Sequence, residues 1–120
     1  MERRLVVKVT AGAEDAERLN QAFTVAASAV AAGAGVSLWL TGDAAWVGVP
    51  GRAEAFDLPL ASPLAVLRDT VLAGGSLTVC SQCAARREIT EADLVPGARI
   101  AGAALFAEEI LAPDVQAIVY

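Results

Sequence analysis

The chain has 120 residues, 56% of them hydrophobic, with two cysteines, no histidine and a formal net charge of −5. That length fits one domain, residues 1–120, and the negative field repels phosphate backbones, which argues against direct nucleic-acid binding. Without histidine there is no Ser-His or Cys-His pair and no imidazole metal ligand, so covalent chemistry falls to the thiols.

Leu5 to Val9, rich in Leu and Val, predicts a first strand that exits through Thr10-Ala11-Gly12. The N-terminus, Met1 to Thr10, carries charges but neither a long apolar run nor a small-residue cleavage site, and reads as mature structure of a cytoplasmic protein. Glu14, Asp15 and Glu17 crowd the start of the next segment, as a helix N-terminus prefers. Leu19, Phe23, Ala26, Ala27 and Val30 then recur at helical spacing up to a stop at Gly33. The stretch from Gln21 to Leu40 has no formal charge and is long enough to cross a bilayer. It is built from Ala, Gly and Ser, however, and Gly33-Ala34-Gly35 interrupts it, so it reads as a buried helix handing over to a buried strand, with no membrane contact. That second strand is Val36 to Leu40, bounded by Thr41-Gly42-Asp43.

From Gly42 to Pro63 the chain is irregular, holding Gly48, Pro50, Gly51 and Pro59, and is a candidate lid or pocket wall. Ser62 reads as the N-cap of a helix with Pro63 in its first turn, running to Ala73 and stopped by Gly74-Gly75. Leu77 to Val79 is the third strand. A helix start bearing both cysteines follows, then a short helix from Thr90 with Glu91 and Asp93 in its first turn and a break at Pro96-Gly97. A helix over Ala101 to Leu111 and a strand over Val115 to Val119 close the chain. Strands alternating with helices require crossovers, so the expected fold is α/β, a three-layer αβα sandwich with a mostly parallel sheet of about four to five strands. Ligands in such sheets collect at the carboxyl ends of the strands, where Gly42, Asp43 and Cys80 fall.

Both cysteines lie in Val79-Cys80-Ser81-Gln82-Cys83, where an apolar run turns directly into a helical segment. Backbone N–H groups and the helix dipole at such a junction favour a thiolate, which makes Cys80 the candidate nucleophile. Cys83, one helical turn on, is the second candidate catalytic residue, since the two sulfurs can meet on one face and bond. The competing reading takes the cysteines as small core hydrophobes, more natural for Cys83 than for Cys80 with its polar neighbours Ser81 and Gln82. Two thiolates are half of a tetrahedral zinc set, so neither a metal nor another cofactor is expected. Gly42, Asp43, Trp46 and Arg86 are the candidate substrate contacts. Asp43 either orients a substrate or caps a turn, and Trp46 is placed to wall a small apolar pocket over the thiol. Arg86 and Arg87 either polarise the thiol and bind an anionic sulfur donor or lie solvated and paired with Glu88 or Glu91.

Over nearly its whole length the chain resembles the DsrE/DsrF-like family of small sulfur-relay proteins. The resemblance rests on the first strand, the Ala-rich helix, the strand into Leu40-Thr41-Gly42-Asp43, the strand ending at Cys80, Arg86-Arg87 followed by Ile89, and the closing strand ending in Tyr120. It implies that Cys80 carries sulfur as a persulfide, with Cys83 matching relatives that have a second cysteine nearby. One departure is Glu88, where many relatives have Gly. The implied function is a cytoplasmic sulfur carrier or sulfurtransferase-like protein served by sulfur donor and acceptor proteins. A small-ligand-binding or assembly module of the same fold, and a dithiol redox protein using Cys80 and Cys83, are the alternatives. Relatives form trimers or hexamers, and a mean hydropathy of +0.53 leaves apolar surface that suits a homo-oligomer.

Overall fold

Four apolar runs and the tripeptide Arg99-Ile100-Ala101 become the five strands of one parallel sheet in the computed structural model, which describes residues 3–120. Met1 and Glu2, at the head of the expected domain, lie outside the described residues. The strands are β1 (Arg4–Val9), β2 (Gly35–Leu40), β3 (Gly75–Cys80), β4 (Arg99–Ala101) and β5 (Val115–Val119), ordered β4-β3-β2-β1-β5. Every neighbouring pair is parallel. The helices are α1 (Ala16–Ala31), α2 (Arg52–Ala55), α3 (Leu64–Gly74), α4 (Ser81–Arg86) and α5 (Ala103–Ile110). Among the described residues no helix is long and apolar enough to cross a membrane.

The expected α/β fold is therefore present, with local differences. β4 takes Arg99 and Ile100, for which no element was expected, and Ala101, where the last helix was expected to begin, because three half-buried residues are too few to show a strand periodicity. The third helix begins one residue later than expected, with Pro63 rather than Ser62 as its cap and the Pro63 carbonyl accepting from Val66 and Leu67. Gly33 stops α1 as expected, in the left-handed conformation at φ +89° that glycine adopts without strain.

Chain direction across the sheet decides the layers. β1 to β4 step one way, whereas β5 returns to the far side of β1. Right-handed crossovers put helices of the forward steps on one face and the helix of the return step on the other. α1 and α3 accordingly pack together over the face formed by Val7, Val9, Val36, Leu38, Leu40, Leu77 and Val79, with Leu19, Phe23, Ala26, Leu64 and Val71 filling the interface. α5 lies on the opposite face, where Phe106 meets the buried Trp39 edge-on at 5.3 Å between ring centres. None of the residues of α5 is buried, so a polar group tethers it. Glu109 accepts from Ser37 Oγ (2.7 Å) and Trp39 Nε1 (3.0 Å) on one oxygen and from Arg99 Nη2 (3.0 Å) on the other.

One buried charge holds the opposite layer. Arg68, 6% exposed, donates from both terminal nitrogens to Glu54, at 3.1 and 2.9 Å, and from Nε to Asp69, tying α2 to α3. Hydrogen bonds from Arg68, ahead of those from backbone N–H groups, hold the Glu54 carboxyl down at about 2. A depressed folded-state value adds stability above the ordinary 4.5 that is lost as pH falls towards about 2. The urea midpoint of Glu54→Gln should thus lie below wild type at neutral pH and converge on it across that acid window. A gap that stays constant with pH would contradict this assignment.

Candidate functional site

β3 carries the reactive candidate to the carboxyl edge of the sheet. Cys80 is its last residue and at the same time the N-cap of α4, with extended dihedrals at φ −60° and ψ 129°. Its register fixes where the sulfur points: Lys8 pairs with Trp39 and Trp39 with Thr78, and Cys80 stands two residues beyond Thr78. Alternation along a strand therefore places Cys80 on the face of Lys8, Trp39 and Thr78, the side that α5 covers. The thiol is half-buried. Burial pushes its pKa up, but the nearby Cys83 and Gln82 N–H groups and the Cys83 thiol, together with the Lys8 ammonium, outweigh burial and bring it below the ordinary thiol value. Lys8 Nζ rests 4.9 Å from the centre of the Phe106 ring, which holds this charge under α5.

Cys83 is 9% exposed and sits one turn into α4, with its sulfur accepting the Gly42 N–H at 3.2 Å. The β2 exit loop can come this close because residue 42 is glycine. Its φ is +56°, and a Cβ there would stand 2.9 Å from the Thr10 carbonyl oxygen. Arg87 locks the same contact from outside, donating to Asp43 Oδ1 from Nε (3.0 Å) and Nη2 (2.7 Å) and to the Cys83 carbonyl from Nη1 (3.1 Å). Of the two adjacent arginines it is Arg87 that joins the site, and it pairs with Asp43 instead of the Glu88 or Glu91 that sequence adjacency suggests. Arg86 is an exposed residue at the end of α4.

α4 closes with a Schellman motif. Ile89 N–H bonds to the Ala84 carbonyl and Glu88 N–H to the Ala85 carbonyl, with Ile89 buried against the core and Glu88 left-handed at φ +56°. This is why glycine suits the position after the basic pair: Glu88 carries a backbone penalty of roughly 1–2 kcal/mol that glycine avoids.

Trp46 and Asp43 line a cleft of about 390 Å³ with Leu19, Phe56 and Leu64 at its walls and Glu14 and Arg52 at its rim. The Arg52 guanidinium lies 4.3 Å from the Trp46 ring centre. Neither thiol lines this cleft, which opens on the α1 and α3 side of the sheet, so Trp46 does not wall a pocket over Cys80 as expected. Gly42, Asp43, Cys80 and Cys83 are thus brought together through α4 and the β2 loop, while Trp46 and Arg86 are not. Lys8 was missed in the sequence, where the available signal was one cation inside an otherwise apolar strand.

No curated protein matches the chain's sequence. Among solved structures, the YchN protein of E. coli is similar to it with a TM-score of 0.80 and 19% identity over 100% of both chains, a likeness of fold. The sequence profile of the DsrE/DsrF-like family matches residues 3–115, and the chain belongs to that family.

Proposed function

We propose that this protein is a sulfur carrier in which the Cys80 thiolate accepts sulfane sulfur as a persulfide and passes it to a partner. One observation carries the reading: a half-exposed thiol at a strand-to-helix junction, with two backbone N–H groups, a second thiol and the Lys8 ammonium all favouring its anion. The chemistry is nucleophilic attack by a thiolate on the outer sulfur of a polysulfide or persulfide donor, whose remaining sulfur leaves as the thiolate. Family membership supports a relay role. Self-association belongs to the same proposal. A parallel sheet is ordinarily covered on both faces, yet Leu111 and Val119 beside the single helix α5 are exposed, and a second copy of this chain would cover them.

Incubation with inorganic polysulfide should add one sulfur to Cys80, read by mass spectrometry, and Cys80→Ser should abolish the addition. The iodoacetamide rate should rise with a midpoint below the roughly 8.5 of an unperturbed thiol. Unchanged labelling of Cys80→Ser, or a midpoint at the unperturbed value, would reject the assignment and favour a ligand-binding module.

A further inference from the structure

We propose that Cys83 is the resolving nucleophile of this site, discharging sulfur carried on Cys80 as hydrogen sulfide by closing a Cys80–Cys83 disulfide. The inference rests on the reading of Cys80 as the persulfide-forming residue. Geometry is the first support. Cys83 lies one turn into α4, three residues from Cys80 at the N-cap, and a spacing of one helical turn falls within the Cα separation of roughly 4.4–6.8 Å that disulfides span.

The environment of Cys83 is the second support. A cysteine kept only for packing needs no polar partner, yet the Gly42 N–H points at Cys83 Sγ from 3.2 Å. That donor fixes the direction of the sulfur and holds the β2 exit loop against it. Three features aim it there: the left-handed Gly42, its close approach to Thr10, and the Arg87 bridge between Asp43 and the Cys83 carbonyl. Burial to 9% exposure withholds Cys83 from bulk donors while Cys80 is half-exposed, so the two thiols differ in task.

In the step itself, Cys83 Sγ attacks Cys80 Sγ. The bond between Cys80 Sγ and the outer sulfur breaks, and its electron pair leaves with that sulfur as hydrosulfide. The proton given up by Cys83 completes hydrogen sulfide, so a persulfide and a thiol become a disulfide and one molecule of hydrogen sulfide. The outer sulfane sulfur is reduced, the two cysteine sulfurs are oxidised, and no external oxidant enters. An external dithiol reductant then restores both thiols. Where no acceptor intercepts the persulfide, the protein releases sulfide and locks itself against a second load.

The test loads full-length protein with inorganic polysulfide, desalts it, and follows sulfide release and the peptide map with time. Wild type should release one sulfide per chain and end with an intrachain Cys80–Cys83 disulfide. Cys83→Ser, which keeps a group able to accept the Gly42 N–H, should hold the added sulfur at least about tenfold longer until an outside thiol is supplied. Cys83→Ala should behave as Cys83→Ser does, which guards against a role for the serine itself. Equal retention in wild type and both variants would overturn the resolving role while leaving Cys80 as the carrier. Added sulfur found on Cys83 in place of a disulfide would also overturn it. Failure of Cys80 to load at all would overturn the carrier reading and this inference together.

Discussion

Replacing Glu109 by alanine should cost about 2–4 kcal/mol and release α5 from the sheet, because charged hydrogen bonds contribute roughly 1.5–3 kcal/mol each and a buried orphaned donor adds a penalty. α5 has no buried residue, so hydrophobic burial alone does not dock it. Its anchorage is the carboxylate that gathers Ser37, Trp39 and Arg99, and the truncated side chain would leave the Trp39 indole N–H, on a ring 2% exposed, without an acceptor. Arg99 would keep its bond to Thr78 and turn its other nitrogens to water. A drop in urea midpoint, faster proteolysis between Gly102 and Asp114, and a change in tryptophan emission would all report the release. Since α5 also covers the face on which Cys80 and Lys8 lie, the thiol should alkylate faster as well. A variant that matches wild type in stability and proteolysis would show that packing of Phe106 on Trp39 suffices.

Alanine at Gly42 should be comparably damaging, at about 2–5 kcal/mol, from two additive sources. A left-handed backbone costs a non-glycine residue roughly 1–2 kcal/mol, and forcing a methyl into a tight contact costs roughly 1–3 kcal/mol. Both apply, since φ is +56° and the new Cβ would stand 2.9 Å from the rigid Thr10 carbonyl. The functional consequence is separable from the loss of stability. Displacing the loop withdraws the Gly42 N–H from Cys83 Sγ, so Cys83 should become alkylatable in the folded protein, where wild type should label at Cys80 first. Chemical denaturation measures the first effect and peptide mapping after brief iodoacetamide treatment the second. Wild-type stability together with a Cys83 that stays unlabelled would refute the strain argument at this turn.

The apolar runs that became β1, β2, β3 and β5 were legible because Val, Leu and Ile suit an extended strand, and helical spacing marked α1 and α3. β4 was not, since Arg99-Ile100-Ala101 acquires its strand character only by pairing with Thr78, Val79 and Cys80. The site divides in the same way. A thiol at a strand-to-helix junction announces itself locally, because N-cap geometry is set by a handful of consecutive residues. Its choice of Lys8 as a charged neighbour, of Arg87 over Arg86 as the residue that grips Asp43, and of Trp46 for a separate cleft all depend on segments far apart in the chain.

Sequence alone thus determined the order of the longer elements, the α/β class and the position of Cys80, for each follows from local periodicity, turn chemistry and adjacency along the backbone. Tertiary structure alone decided which face of the sheet the sulfur looks onto and which partners meet it. Strand register and the return of β5 to the far side of β1 are relations between distant segments, and only the packed chain satisfies them together.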